Sequence, residues 1–320
     1  MLADLLNLFG GMVLLIAGAE FLLRGAAALA IKLGISALVI GLTIVAFGTS
    51  SPELVISARA AWNGESDIAL GTVIGSNICN ILLILGIACL IRPITIHRQV
   101  MKLDLPVMIG VSVALALILL SGGISRLFGI LLFLGVIGYT VCTLKISRKM
   151  AREDEGIREE DIVDIPELPA GILLLVLFII LGPILLGIGS DLMLRGAISI
   201  AERLGISNAV IALTIVAVGG SLPELATAVA ASVRDKADIV VGNVVGSNIF
   251  NILSVLGVAA IVQPLVFAQG PDSVGWMDVG VMLVVAFLCL LFMRSGFVLK
   301  RWEGLLMLAG YAGYIVYLIA

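Results

Sequence analysis

The sequence predicts an all-α membrane protein with ten transmembrane helices, arranged as two inverted five-helix repeats with discontinuous helices at the centre. Three observations support this prediction. Of the 320 residues, 61% are hydrophobic and only 13% are charged, with a mean hydropathy of +1.23, far from the composition of a soluble domain. One offset of 171 residues relates the two halves of the chain. Each half also carries a Pro-Glu pair in the middle of an apolar segment, at 52–53 and 223–224.

The chain contains ten apolar runs long enough to cross a bilayer, since roughly 20 apolar residues span its hydrocarbon core. They lie near Leu2–Leu23, Ala27–Ala61, Ile68–Ile91, Leu103–Ser121, Leu127–Ile146, Leu173–Leu194, Ala197–Ser232, Ile239–Ile261, Met277–Met293 and Trp302–Ile319. The first run lacks the basic start of a secretory signal, so we expect a retained helix.

The distribution of positive charge predicts the orientation in the membrane. Ten helices place fifteen of the 19 Lys and Arg residues on one side and four on the other. Because cytoplasmic loops are enriched in Lys and Arg, we expect both termini to lie outside and the charged segment 147–168 to lie in the cytoplasm. The absence of a targeting segment favours the cell (plasma) membrane.

The internal repeat predicts how the chain is divided. The offset aligns 48–53 (Gly-Thr-Ser-Ser-Pro-Glu) with 219–224 (Gly-Gly-Ser-Leu-Pro-Glu), and 75–80 (Gly-Ser-Asn-Ile-Cys-Asn) with 246–251 (Gly-Ser-Asn-Ile-Phe-Asn). Because five helices are an odd number, the second copy enters the membrane from the opposite side, as in many secondary transporters. We predict a first half at 1–146, a charged linker at 147–168 and an inverted second half at 169–320.

Glu53 and Glu224 indicate a cation site. A charge at the centre of a membrane helix costs on the order of 2.5–3.5 kcal/mol, so two matched glutamates there are expected to have a function. The proline before each glutamate breaks the helix and frees the carbonyls of Gly48 and Gly219. Broken helices occur at membrane depth where they are buried or line a cavity.

The neighbouring side chains supply only oxygen ligands. On a helix Glu53 shares a face with Thr49 and Ser50, and on the next segment Ser76 and Asn80 share another. The second half repeats this pattern with Ser221, Glu224, Ser247 and Asn251. Hard oxygens suit Ca²⁺ and Na⁺, whereas zinc or copper would favour nitrogen or sulfur. A protonated structural role for the glutamates, and helix–helix contact for the serines and asparagines, are the alternatives.

These motifs resemble the two alpha-repeats of the sodium/calcium exchanger family in its compact prokaryotic form. The resemblance implies that helices 2, 3, 7 and 8 hold the ions and that helices 1 and 6 slide as a gate. It also implies that Glu53 and Glu224 bind Ca²⁺ and Na⁺ in competition. The further implied ligands are Thr49, Ser50, Ser76, Asn80, Ser221, Ser247, Asn251 and the carbonyls of Ala46 and Ala217.

Two positions depart from this pattern. Gly220 stands where the first half has Thr49, so the second half keeps the backbone carbonyl but loses a hydroxyl, which weakens one Na⁺ site. Asn251 occupies a position that is Asp in potassium-dependent relatives, and this argues against K⁺ co-transport.

We therefore expect a secondary antiporter that exchanges Na⁺ for Ca²⁺ by alternating access, electrogenic and independent of K⁺. The ions are substrates, no cofactor is implied, the lipid bilayer is the expected partner, and no nucleic acid or obligatory protein partner is expected.

A H⁺/Ca²⁺ exchanger using the same glutamates is an alternative, although relatives of that kind carry Gly-Asn before the acidic position. A passive channel would need a selectivity ring from several subunits. An enzyme is not expected, since the chain has no phosphate loop and no His cluster.

Overall fold

The computed structural model describes residues 2–33, 36–153, 172–204, 217–268 and 273–319. Within these ranges the regular structure is helical apart from four two-residue strands. The helices of the first half are α1 (Leu2–Leu33), α2 (Ala37–Thr49), α3 (Ser51–Trp62), α4 (Ser66–Ile91), α5 (Val100–Leu119) and α6 (Arg126–Glu153). Those of the second half are α7 (Ile172–Arg203), α8 (Ala217–Gly219), α9 (Leu222–Val233), α10 (Ala237–Val262), α11 (Trp276–Arg294) and α12 (Arg301–Ile319).

Seven of the described helices are long and apolar enough to cross a membrane, and the bent pair of α2 and α3 would make eight. The chain is therefore a multi-pass helical membrane protein. Part of the predicted run Ala197–Ser232 lies outside the described residues, and α12 is not among the seven, so the count of ten remains a prediction. The division of the chain at 147–168 also stays a prediction. Helix α6 continues to Glu153, and the rest of the linker lies outside the described residues.

The predicted ends of the first and sixth spans are wrong. The run expected to end at Leu23 continues as helix to Leu33, and the run expected to end at Leu194 continues to Arg203. Arg24, which follows the apolar run of α1, is paired within the helix, since its Nε lies 2.5 Å from an oxygen of Glu20 one turn earlier. In α7 the corresponding distance from Arg195 to Asp191 is 2.9 Å.

Helices α1 and α7 pack against each other through glycines spaced seven residues apart. A Cβ atom on Gly18 would lie 2.8 Å from the carbonyl oxygen of Gly182, and one on Gly189 would lie 2.8 Å from that of Gly11. Early residues of α1 contact late residues of α7, so the two helices run antiparallel. Their backbones touch because small residues permit this approach. The glycines concerned are Gly11, Gly18, Gly25, Gly182, Gly189 and Gly196.

The centre of the protein is formed by α4 and α10. In the most apolar 18-residue stretch of each helix, 89% of α10 and 72% of α4 are buried inside the protein. The corresponding share for the other single spans is 28–39%. Helix α2 lies directly on α10, since a Cβ atom on Gly246 would meet the Cβ of Ala46 and the carbonyl of Leu42 at 2.8 Å. The two central helices therefore face the broken helices that carry the glutamates.

Contacts between the halves also occur in the loops. Strand β1 (Ile94–Thr95) pairs with β4 (Val298–Leu299), and β2 (Gly123–Ile124) pairs with β3 (Leu265–Val266), both antiparallel. Polar contacts join the end of α9 and the start of α10 to the first half. Arg234 forms an ion pair with Glu20, Asp235 forms one with Arg92 at 2.9 Å, and an oxygen of Asp238 lies 3.0 Å from Nε2 of His97.

Candidate cation site

The helix breaks occur where the prolines predict them. Helix α2 ends at Thr49, α3 begins at Ser51 with Pro52 in its first turn, and the two axes differ by 46°. In the second half α9 begins at Leu222 with Pro223 in its first turn. The hinge residues Ser50 and Ser221 have nearly the same backbone conformation, with φ/ψ of −83°/5° and −93°/12°. The repeat therefore places one broken helix in each half.

The carbonyls that the prolines were expected to free each accept one hydrogen bond from a serine hydroxyl and keep a second lone pair. The Gly48 carbonyl accepts a hydrogen bond of 2.8 Å from the Ser51 hydroxyl. The Gly219 carbonyl accepts one of 2.7 Å from the hydroxyl of Ser190, which lies on α7. A buried carbonyl without a partner is costly, and a serine hydroxyl satisfies each one.

The glutamate side chains are buried and largely without partners. Glu53 is 0% exposed and Glu224 is 1% exposed. Within the described residues, neither oxygen of Glu53 has a hydrogen-bond partner, and Glu224 has one, the Ser50 hydroxyl at 3.1 Å from Oε1. Three buried carboxylate oxygens are thus left for a group of positive charge, since burying them alone would be costly.

The ligands predicted for one half contact those of the other. Ser50 of the first half binds Glu224 of the second, and Ser221 Oγ lies 3.3 Å from Ser76 Oγ. Thr49 Oγ1 lies 3.5 Å from Ser247 Oγ. The sequence grouped Ser50 with Glu53 on one helix face, but the helix break turns the hydroxyl toward the glutamate of the opposite half.

The two predicted amide ligands occupy equivalent places in wider helical turns. A π-helical segment begins at Asn80 in α4 and another at Asn251 in α10. Such segments are frequent at functional sites. Both side chains are 0% exposed. Among the described residues the amide of Asn80 has no hydrogen-bond partner, whereas Asn251 donates from Nδ2 to Asn77 Oδ1 at 3.1 Å and keeps Oδ1 free.

The remaining predicted ligands are backbone groups. The Ala46 carbonyl accepts from the Ser50 amide at 3.0 Å, and its oxygen lies 3.2 Å from the Thr49 hydroxyl, whose single proton is shared with Asn243. Ala217 begins the short helix α8, and the chain before it lies outside the described residues. A Cβ atom on Gly220 would contact no heavy atom within 4 Å, so the space of the missing hydroxyl is open.

Three buried asparagines beside the site were not predicted as functional. Asn77 and Asn248 are equivalent by the offset of 171 and stand inside the motif that contains the ligands, which is the signal that could have identified them. Asn243 accepts from the Thr49 hydroxyl at 3.1 Å. Its counterpart is Thr72, so neither Thr49 nor Asn243 is repeated in the other half.

The site offers oxygen atoms from two carboxylates, amides and hydroxyls. In the part of the chain that the structure describes, no three His, Cys, Asp or Glu side chains form a group that could hold a metal ion. A cation here would meet two acidic groups and several neutral oxygens, which is a hard environment. Broken membrane helices that meet around such a centre are typical of secondary transporters.

Comparison with known proteins agrees with that class. The family model described as sodium/calcium exchanger protein matches residues 4–145 and 173–320. The chain therefore belongs to the sodium/calcium exchanger family, whose fold and members are those of transporters.

Several relatives cover the chain almost completely. The putative antiporter CaxA of Alkalimonas amylolytica is 39% identical over 95% of both chains. The sodium/calcium exchanger MaX1 of Methanosarcina acetivorans is 32% identical over 98% of both. Among solved structures, the sodium-calcium exchanger NCX_Mj soaked with Na⁺ and Sr²⁺ superposes with a TM-score of 0.82 at 31% identity, covering 98% of each chain.

Proposed function

We propose that the protein exchanges Na⁺ for Ca²⁺ across the cell membrane through this site, by alternating access and independently of K⁺. The observation that carries the proposal is the set of three buried carboxylate oxygens on Glu53 and Glu224 that have no partner among the described residues. The two carboxylates together balance the charge of one Ca²⁺, and the surrounding hydroxyl oxygens are suitable ligands for Na⁺. The relatives named as exchangers support the same conclusion.

The proposed ligands divide between the two kinds of ion. Ca²⁺ is bound at the centre by Glu53 and Glu224, together with the amide oxygens of Asn80 and Asn251. Na⁺ ions use the same carboxylates and the flanking groups, so that occupancy by one kind of ion excludes the other. The flanking groups are Ala46, Thr49, Ser50 and Ser247 on one side, and Ala217, Gly220, Ser76 and Ser221 on the other.

The proposed conformational change is a sliding of α1 and α7 together. Their glycine contact makes them one body, and Ser190 of α7 already contacts the hinge carbonyl of Gly219. In this proposal the ten helices form inverted repeats and both termini face outside. In this proposal more than two Na⁺ replace one Ca²⁺, so the exchange moves net charge.

The test is ⁴⁵Ca²⁺ uptake into proteoliposomes loaded with Na⁺, compared with vesicles loaded with K⁺ or choline. We expect uptake to require internal Na⁺ and to be lost in Glu53→Gln and Glu224→Gln, since each substitution removes one of the two charges. A membrane potential imposed with K⁺ and valinomycin should change the rate if the exchange is electrogenic. Uptake that ignores Na⁺ would contradict the proposal.

Proton/calcium exchange is the second candidate function. Buried carboxylates without fixed hydrogen-bond donors are able to carry protons, and Glu53 is such a group within the described residues. This candidate predicts ⁴⁵Ca²⁺ uptake driven by a pH gradient in vesicles that contain only choline. A passive channel would instead take up Ca²⁺ without either gradient.

A further inference from the structure

The cation site contains two carboxamides, and a carboxamide must be oriented before it can bind a cation. The side chain of asparagine offers an oxygen that binds cations and an NH₂ group that repels them. A half-turn about the last side-chain bond exchanges the two. A residue that fixes this rotation therefore affects affinity without contacting the ion.

A chain of hydrogen bonds fixes the rotation of Asn251. The backbone carbonyl of Asn248 accepts a bond of 3.3 Å from Asn77 Nδ2. Asn77 must then present its own oxygen to Asn251, which donates from Nδ2 at 3.1 Å. Because a backbone carbonyl can only accept, neither amide can rotate without losing a bond. All three residues are at most 2% exposed, so water cannot replace that bond.

We propose that Asn77 is a positioning residue that holds the amide of Asn251 with its oxygen free for the cation. The Oδ1 atom of Asn251 is buried and has no partner among the described residues, as expected for a ligand of a cation. The inference rests on the proposed function only in requiring that Ca²⁺ binds here. It does not depend on whether Na⁺ or H⁺ is the exchanged ion.

The repeat provides a matched control within the same chain. Asn248 is the counterpart of Asn77, yet its Nδ2 is 3.7 Å from the sulfur of Met108. Its Oδ1, like the whole amide of Asn80, has no partner in the described part of the chain. Thus one ligand amide is held by its neighbour and its counterpart is not, although the motifs differ only at Cys79 and Phe250.

The inference predicts that Asn77 and Asn251 act as one unit. Asn77→Leu keeps the branched shape of the side chain, with a somewhat larger volume, and removes both hydrogen bonds. Loss of a residue that orients a ligand typically weakens metal binding about 10- to 100-fold, and we expect a loss in that range. In Asn251→Ala the ligand is already absent, so adding Asn77→Leu should weaken binding little further. Asn248→Leu leaves the bond between Asn77 and Asn251 intact, so it should weaken Ca²⁺ binding less than Asn77→Leu does.

The experiment is equilibrium binding of ⁴⁵Ca²⁺ to the purified full chain in detergent, for the three single variants and the double variant. Thermal unfolding in the presence of a chelator reports whether each variant folds, and Asn77→Ala serves as a second substitution if Asn77→Leu does not.

Four results would overturn the inference. These are unchanged affinity in both Asn77 variants, misfolding of both, losses that multiply in the double variant, and an equal loss in Asn248→Leu. If the unaltered protein binds no Ca²⁺, the proposed function fails as well. Normal binding by the unaltered protein and by Asn77→Leu would overturn this inference alone.

Discussion

At the residue scale, the two halves of the site differ most at Thr49 and Gly220. The Thr49 hydroxyl contacts Asn243 and Ser247 of the opposite half, at 3.1 Å and 3.5 Å. At the equivalent position Gly220 contributes only backbone, and the space where its Cβ would lie is open. Because every other proposed ligand is repeated at the offset of 171, this one side chain accounts for a difference between the two flanking groups of ligands.

Replacing Gly220 with threonine should restore the missing ligand. We expect Gly220→Thr to lower the Na⁺ concentration that gives half-maximal Ca²⁺ uptake by about fivefold, since one added hydrogen-bonding group contributes on the order of 1 kcal/mol. Gly220→Val is the matched control, because valine has the same shape without the hydroxyl. The measurement is uptake as a function of internal Na⁺. Equal effects of the two substitutions would mean that bulk, and not the hydroxyl, acts at this position.

At the element scale, the parts of the structure predictable from sequence are those with local causes. Proline breaks a helix through its own ring and missing N–H, so the breaks at Pro52 and Pro223 could be placed from sequence alone. The end of α1 was misplaced, because the prediction stopped the helix with its apolar run at Leu23, whereas a charged residue that is paired one turn earlier, as Arg24 is with Glu20, does not end a helix. The contacts between ligands of the two halves, such as that of Ser50 with Glu224, were also not predicted. The offset of 171 residues shows which residues are equivalent, whereas a contact between them depends on how the helices pack.

The packing of α2 on α10 makes a prediction about two equivalent glycines. A methyl group on Gly246 would lie 2.8 Å from the Cβ of Ala46, so Gly246→Ala should push the two helices apart. Such overpacking typically costs about 1–3 kcal/mol. Gly75 is the counterpart by the offset, and a Cβ there would meet no heavy atom within 4 Å.

We therefore expect Gly246→Ala to lower the melting temperature of the detergent-purified protein and Gly75→Ala to leave it nearly unchanged. The comparison controls for the general effect of replacing glycine by alanine in a membrane helix, which is the same at both positions. Equal melting temperatures for the two variants would show that α2 does not pack on α10 as described.

At the scale of the whole molecule, the contacts that join the body formed by α1 and α7 to the rest of the protein differ between the two halves of the repeat. Glu20 of α1 pairs with Arg234, which follows α9. The counterpart of Glu20 is Asp191 of α7, and the counterpart of Arg234 is Asn63, which follows α3 and has no charge. Among the described residues, the ion pair of Asp191 is with Arg195 of its own helix. The arrangement in the structure is thus stabilised by an ion pair that has no counterpart at the equivalent positions.

If α1 and α7 slide as proposed, Arg234→Gln and Asn63→Arg should shift the population in the same direction. The first removes the existing ion pair, and the second supplies a partner for Asp191 in the mirror arrangement. A half-exposed ion pair contributes up to about 1 kcal/mol, or roughly a fivefold change in the ratio of the two states. Because a ligand on one side binds only the state open to that side, the shift should appear as opposite changes in the half-saturating Ca²⁺ concentration measured from the two sides of oriented proteoliposomes.

Asn63→Gln is the neutral control. Parallel changes on both sides, or an effect as large in Asn63→Gln, would mean that the ion pair stabilises the fold without selecting between the two states.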